Sequence, residues 1–292
     1  MLEGSIVALV TPFNVDGSVN YSKLAELLEY HSNNSDGIVI LGTTGEASTL
    51  SFDEEEEIVK FSVEKVAKRV PLIVGSGSNE TAKAVSRSKL YSSLGADYVL
   101  VITPYYNKTN ESGLIKHFTA VADASLCPVI MYNVPSRTGM SISVHAVEVL
   151  SKHKNICGIK EASGNISYAM KIAKYLNDDF ILLSGNDDMI VPLMSIGGKG
   201  VISVLANIAP KQTATICRLC KENQYKEATK LASSLLNLTN DLFLETNPIP
   251  VKEAMNYMGY NVGWYRAPLD RMSENNLKIL TNEIDNIKEI IY

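Results

Sequence analysis

The chain has 292 residues, of which 46% are hydrophobic and 20% charged, so it can bury a large core as one barrel-sized domain or as two smaller domains. Its net charge of -5 offers no basic footprint for DNA, RNA or an anionic membrane surface, so none of these partners is expected. No stretch approaches the roughly 20 apolar residues of a bilayer-spanning helix, and the N-terminus lacks a signal pattern, which predicts a cytoplasmic protein.

Eight short apolar runs, rich in β-branched residues, recur along the first three quarters of the chain and predict β-strands. They cover residues 5–9, 37–41, 71–75, 98–102, 128–133, 156–161, 180–184 and 200–203.

Amphipathic stretches of helical period separate these runs and predict the connecting helices. They cover residues 21–31, 51–68, 81–94, 112–124, 144–151, 167–176 and 189–196. Ser51 and Glu54 have the spacing of a capping box, and Gly95 stands where a helix would end in the left-handed conformation.

Strand and helix alternate, which requires parallel strand pairing through crossover connections. Eight such units predict an α/β fold, a closed (β/α)8 TIM barrel over residues 1–222. An open doubly wound sheet is the alternative, although the first strand lacks the glycine-rich dinucleotide turn that usually accompanies it. Helical patterns without strands at 225–244, 250–258 and 274–291 predict a C-terminal helical extension over residues 223–292.

The four cysteines and four histidines give no metal-ligand spacing. Cys217 and Cys220 lie three apart on a helical pattern, without the second pair that a zinc site would need. No metal site is predicted.

Barrel enzymes carry their chemistry at the carboxyl ends of the strands. Polar and reactive side chains stand at six of these ends. The segments are 42–46, 103–106, 132–139, residue 160, 184–187 and 202–203.

Lys160 ends the apolar run of the sixth strand. A lysine in a partly desolvated pocket loses its proton near neutral pH and can attack a carbonyl to form an imine. The alternative is a strand-end lysine whose stem covers apolar surface while its amine reaches water.

The turn Gly42-Thr43-Thr44-Gly45-Glu46 can cup a carboxylate with its backbone N–H groups. The alternative is a helix cap, because Thr43 and Glu46 have capping-box spacing. Tyr132 and Tyr106 can pass protons if a hydroxyl such as that of Thr43 links them, or they can be ordinary core or interface tyrosines. Arg137, in a loop, can hold a carboxylate with its guanidinium or can simply be solvated.

Three segments together resemble the signatures of the dihydrodipicolinate synthase family. They are Gly42-Thr43-Thr44-Gly45-Glu46, Tyr132-Asn133-x-Pro135-x-Arg137-Thr138-Gly139 and Gly158-x-Lys160-Glu161-Ala162-Ser163-Gly164. The resemblance covers essentially the whole chain, including Asn247-Pro248-x-Pro250-Val251-Lys252 and Ala267-Pro268-Leu269. The wider superfamily of pyruvate-dependent lyases, including N-acetylneuraminate lyase, shares the glycine turn, the tyrosine and the lysine, whereas Arg137 favours the synthase.

The resemblance implies an enzyme that condenses pyruvate with L-aspartate 4-semialdehyde, the first committed step of diaminopimelate and lysine biosynthesis. It needs no cofactor, because Lys160 forms the imine with pyruvate. Thr43, Tyr106 and Tyr132 would form a proton relay, with Tyr106 reaching across a dimer interface. Thr44 would bind the carboxylate of pyruvate and Arg137 that of the semialdehyde. Gly185 and Ile202 would line the pocket, and the homo-oligomer would be a tetramer built as a dimer of dimers.

The chain departs from lysine-inhibited family members at one place. Their dimer-interface pocket carries histidines and an acidic residue where this chain has Phe52, Glu55 and Lys83, although Asn79 and Tyr105 are retained. Lys83 would repel the ammonium of the inhibitor, which predicts weak or absent lysine feedback.

Three other functions remain open at this point. The first is a pyruvate lyase that acts on a sugar acid. The second is a pyridoxal phosphate barrel, for which the only candidate phosphate cradle, Gly197-Gly198-Lys199-Gly200, precedes strand eight and so lies at the wrong end of the barrel. The third is a non-enzymatic barrel that binds a keto acid.

Overall fold

The computed structural model describes residues 2–291, and eight parallel strands form a closed barrel in the order β1 to β8. β8 pairs with β1 and closes the ring, with Ile202 opposite Ile6. The strands are β1 (Gly4–Ala8), β2 (Gly37–Ile40), β3 (Leu72–Gly75), β4 (Tyr98–Ile102), β5 (Val129–Asn133), β6 (Ile156–Glu161), β7 (Ile181–Ser184) and β8 (Gly200–Ser203).

The TIM barrel prediction is therefore confirmed, and the open doubly wound sheet is wrong. No strand boundary differs from its predicted position by more than one residue. The apolar runs mark the strands this closely because barrel strands are covered on both faces, by the interior and by the helices.

Helices connect the strands and surround the barrel. They are α1 (Tyr21–Asn34), α2 (Phe52–Val66), α3 (Thr81–Ser93), α4 (Glu111–Ala124), α5 (Pro135–Thr138), α6 (Val144–Leu150), α7 (Ile166–Ala173), α8 (Ile190–Ser195) and α9 (Pro210–Lys221). The predicted capping box is present at the start of α2, where Ser51 and Glu54 bond reciprocally. Gly95 has a φ of +110°, so the predicted left-handed residue follows α3.

Five further helices follow α9. They are α10 (Tyr225–Ser234), α11 (Leu236–Asp241), α12 (Ile249–Tyr257), α13 (Glu274–Asn286) and α14 (Lys288–Ile291). The single helix predicted over 225–244 is wrong, because α10 ends at Ser234 and α11 stops at Asp241. The chain from 242 to 248 then crosses towards the carboxyl ends of the strands and contributes to the cavity described below.

Alternation along the strands divides the apolar residues into two clusters. One fills the interior of the barrel and includes Ile6, Ile130, Tyr132 and Ile202. The other lies between the strands and the helices and continues under the C-terminal helices. Apolar side chains therefore fill the interior of the barrel, and the polar side chains stand at the carboxyl ends of the strands.

Across residues 2–291, every helix falls short of the length and apolar character needed to cross a membrane.

Candidate active site

A cavity of about 960 Å³ opens at the carboxyl ends of the strands. Six of the eight predicted site residues line it, namely Thr43, Thr44, Tyr132, Arg137, Lys160 and Gly185. Five of the six predicted strand-end segments contribute to this cavity, and the segment 202–203 does not.

Lys160 lies on β6, directly opposite Tyr132 on β5. Residues two apart on a strand share a face, so Lys160 points into the barrel as Ala162 does. Its side chain is 7% exposed, and its Nζ lies 4.2 Å from the centroid of the Tyr132 ring. The amine does not reach bulk water, so the alternative of a solvated strand-end lysine is wrong.

Burial lowers the pKa of Lys160 to about 7, because an ammonium loses hydration there. The Asp187 carboxylate raises this pKa and the Arg137 guanidinium lowers it, both to a smaller extent. A large fraction of the Lys160 side chains is therefore unprotonated near neutral pH, the state in which an amine is a nucleophile.

Asp187 was not assigned a role from the sequence, and it lies buried near Lys160. Its Oδ2 accepts hydrogen bonds from the backbone N–H groups of Val204 and Leu205, both at 3.0 Å. Its Oδ1 is buried and has no hydrogen-bond partner within residues 2–291. Burial raises the pKa of Asp187, and the Ser203 hydroxyl, the two backbone donors and Lys160 oppose that rise, in decreasing order.

Gly185 leaves room for the lysine. A Cβ at this position would lie 2.6 Å from the Cβ of Ala162 and 3.0 Å from the Cε of Lys160. A larger residue would push the Lys160 side chain out of place.

The turn from Gly42 to Glu46 is closed by its own hydrogen bonds. Gly45 and Ala47 donate to the carbonyl of Gly42, and Glu46 donates to that of Thr43. Within the described part of the chain, the N–H groups of Thr43 and Thr44 have no acceptor, so both can bind a ligand anion. The capping-box alternative for Thr43 and Glu46 is wrong, because the Glu46 carboxylate binds Lys252 instead.

The hydroxyl of Thr43 lies close enough to the phenol of Tyr132 to influence its pKa. Burial raises the pKa of Tyr132 to about 12, although Arg137 and the Thr43 hydroxyl favour the phenolate. The phenol therefore keeps its proton near neutral pH and can give it to a reacting atom close to Lys160, then recover it through Thr43.

The chain after α11 completes the wall of the cavity, which the sequence did not predict. Asn247 donates from its Nδ2 to the Thr44 hydroxyl at 3.0 Å. Its carbonyl accepts from Nη2 of Arg137 at 3.1 Å. Asn247 therefore connects the turn after β2 with the loop after β5.

Two predicted site residues lie outside the cavity wall. Ile202 is fully buried in the barrel interior, in the same apolar cluster as Tyr132. Tyr106 is 92% exposed and has a φ of +67°, a conformation that is unfavourable for a tyrosine. Its phenol is not available to the cavity of its own chain in this structure.

The outer part of the cavity is lined by Glu55, Asn79, Lys83 and Tyr105, four of the positions discussed for lysine feedback. Glu55 is 3% exposed, and it accepts hydrogen bonds from Arg87 at 2.7 Å and from Tyr91 at 2.6 Å. Burial raises its pKa, and these two donors oppose the rise.

Lys83 pairs with Glu80 at 2.9 Å, and its side chain is 66% exposed. The fifth of these positions, Phe52, is 45% exposed and stands outside the cavity wall.

No group of three or more His, Cys, Asp or Glu side chains that could hold a metal ion occurs within residues 2–291. The donors that face the cavity are instead amide, hydroxyl, amine and guanidinium groups, which suit a small organic anion.

Comparison with known proteins gives consistent matches over the whole chain. The model of the dihydrodipicolinate synthetase family matches residues 1–287. The 4-hydroxy-tetrahydrodipicolinate synthase of Clostridium perfringens (strain SM101 / Type A) is 50% identical over 285 residues, which cover 97% of this chain and 98% of the relative.

Two solved structures show how closely the fold agrees. The dihydrodipicolinate synthase from Aquifex aeolicus has a TM-score of 0.95 and 40% identity, and the match covers 98% of both chains. The chloride-inhibited dihydrodipicolinate synthase from Acinetobacter baumannii, complexed with pyruvate, has a TM-score of 0.96 and 40% identity, with 100% of both chains covered.

Proposed function

We infer the reaction of this protein from its family, since the chain belongs to the dihydrodipicolinate synthetase family. It is a carbon-carbon bond-forming lyase that condenses pyruvate with L-aspartate 4-semialdehyde through a lysine Schiff base. The observation that carries this assignment is Lys160, a buried amine with a pKa of about 7 in a cavity that also presents anion-binding groups.

The first step is imine formation. The unprotonated Nζ of Lys160 attacks the C2 carbonyl of pyruvate, and loss of water leaves a protonated imine. This cation draws electrons from the methyl group, so one methyl proton leaves and an enamine forms. The imine is the electron sink of the reaction, and we assign no organic cofactor or metal to it.

The second step makes the carbon-carbon bond. The methylene carbon of the enamine attacks the aldehyde carbon of the semialdehyde, whose oxygen takes up a proton. The amine of the semialdehyde then attacks C2 and displaces Lys160, which closes the ring and restores the free lysine.

The protons in these steps are assigned to Tyr132, which lies against Lys160 and close to Thr43. The free N–H groups of the turn and the Thr44 hydroxyl would bind the carboxylate of pyruvate. Arg137, whose guanidinium is partly fixed by Asn247, would bind the carboxylate of the semialdehyde. Gly185 and Ile202 would shape the floor near the imine.

The exposure of Tyr106 supports its assignment to the active site of a neighbouring copy. Contact with another chain would bury a phenol that is 92% exposed and would account for the unfavourable backbone conformation of Tyr106. We assign the protein to a homo-oligomer with at least two copies per functional unit, and to a tetramer as a dimer of dimers.

Purified protein supplied with pyruvate and either L-aspartate 4-semialdehyde or N-acetylmannosamine tests the substrate assignment. Turnover is expected with the semialdehyde alone. Turnover with the sugar, or cleavage of N-acetylneuraminate, would identify a sugar-acid lyase. Binding of pyruvate without turnover of either aldehyde would identify a keto-acid binding protein, and a yellow protein with bound pyridoxal phosphate would indicate different chemistry.

A further inference from the structure

A buried ion pair joins the C-terminal helices to the turn that faces the cavity. Lys252 lies on α12, and Glu46 is the last residue of the turn after β2; both side chains are 0% exposed. Lys252 Nζ lies 2.7 Å from Oε1 of Glu46 and also donates to the carbonyl of Thr11 at 3.1 Å and to that of Trp264 at 2.5 Å. All three N–H bonds of the ammonium are thus satisfied.

Stability alone does not account for this pair. Removing two charges from water is costly, and an apolar pair of the same volume is often as stable. The ammonium also lies 4.6 Å from the centroid of the Phe13 ring, which shields it further from water. What an ion pair adds to an apolar contact is a fixed direction and distance.

That direction matters because Glu46 is held in an unfavourable conformation. Its φ of 53° and ψ of 33° are left-handed, although it carries a full side chain. Its other carboxylate oxygen accepts from the backbone N–H of Arg266 at 3.1 Å, and Thr11 Oγ1 donates to the carbonyl of Gly45 at 2.6 Å. These contacts fix the end of the turn, and the turn cannot relax while they hold.

We propose that the Lys252–Glu46 pair is a positioning device that holds the N–H groups of Thr43 and Thr44 in the geometry that binds the carboxylate of pyruvate. Neither Lys252 nor Glu46 is assigned contact with substrate. The proposal rests on the proposed role of the turn as the pyruvate carboxylate site. It makes the C-terminal helices part of the binding site through a contact 206 residues apart in sequence.

The double variant Glu46→Gln/Lys252→Met tests the proposal, because it removes both charges with little change of volume and leaves no unpaired ion. Its KM for pyruvate is expected to rise about tenfold, while the KM for the semialdehyde and kcat stay within about threefold of the parent. The control Lys221→Met breaks the surface pair with Glu3 and should change none of these constants.

A folded double variant with a pyruvate KM within about twofold of the parent would overturn the proposal. So would an equal rise in both KM values, which would indicate general loosening. If the double variant does not fold, Glu46→Asp decides by the same criteria, because it keeps both charges but shortens the side chain by one methylene. Labelling of the unmutated protein by pyruvate and borohydride separates this question from the proposed function: its absence would count against the imine itself.

Discussion

The amine of Lys160 has to lose its proton before it can attack a carbonyl, and burial sets its pKa at about 7. The rate of imine formation with pyruvate should therefore be constant above this pH and fall about tenfold per pH unit well below it. Stopped-flow measurement of single-turnover imine formation between pH 5 and 9 gives the profile. An acid limb centred near the ordinary lysine pKa would mean that the lysine is not desolvated.

Asp187 should influence the pH dependence of imine formation, because its carboxylate raises the pKa of Lys160. Replacing Asp187 with Asn removes the negative charge, and the amide oxygen can still accept from Val204 and Leu205. The acid limb of imine formation is expected to move to lower pH. The neighbouring exposed residue provides a matched control, since Asp188→Asn should leave the limb in place. Movement of the limb to higher pH in the Asp187 variant would contradict the assignment.

A functional residue could be predicted from the sequence where its own chemical character differs from that of its neighbours in the chain. Lys160 could be recognised because a cation ends an apolar strand. Asp187 could not be assigned in the same way, since it follows several polar residues and its burial depends on β8 and the chain after it. Its position relative to Lys160 is set by the closure of the barrel and leaves no pattern in the sequence.

Among the elements, α2 and α3 contribute Glu55 and Lys83 to the outer wall of the cavity, where lysine feedback would act. Glu55 is already bonded to Arg87 and Tyr91, and Lys83 adds a positive charge. Lysine is therefore expected to inhibit weakly or not at all, because its ammonium would be repelled. The initial rate, measured against lysine at saturating substrates, checks this expectation; half-inhibition below about 1 mM would contradict it.

The charge of Lys83 can be tested separately. If repulsion excludes lysine, Lys83→Gln should lower the half-inhibitory concentration. Lys89→Gln, on the exposed side of the same helix, is the matched control and should have no effect.

The strands were predictable because a barrel strand is apolar on both faces. The first residues of the helices were predictable because capping interactions are local in sequence. The short helix α5 was not predicted, since it is a single turn that begins at Pro135 within a loop. The break between α10 and α11 was also missed, because the apolar period continues through Leu235, which is buried. Tertiary contacts, rather than local propensity, decide such boundaries.

At the scale of the whole molecule, the contribution of the C-terminal segment to the site was beyond sequence reasoning. Asn247 and Lys252 contact the turn after β2 across more than 200 residues, and neither has a local periodic signature. Both residues belong to the segment from Asn247 to Lys252 that resembles the family, but the sequence of this segment does not show where they lie in the fold.

The proposed homo-oligomer leads to a prediction that involves two copies of the chain. If Tyr106 completes the site of a partner, Tyr106→Phe and Lys160→Ala should each be nearly inactive, whereas a mixture that exchanges subunits should recover activity. Random pairing places one intact site in half of the dimers, so about a quarter of the parental activity is expected. Activity no higher than the sum of the separate variants would show that Tyr106 does not act across an interface.

The proposed covalent bond between Lys160 and pyruvate is tested most directly by incubation with pyruvate and sodium borohydride, followed by peptide mapping with mass spectrometry. The reduced adduct is expected on Lys160 alone and should be lost in Lys160→Ala. Lys252 is an internal control, because it is also buried but all its N–H bonds are taken. An adduct on any other lysine, or none at all with active protein, would contradict the account.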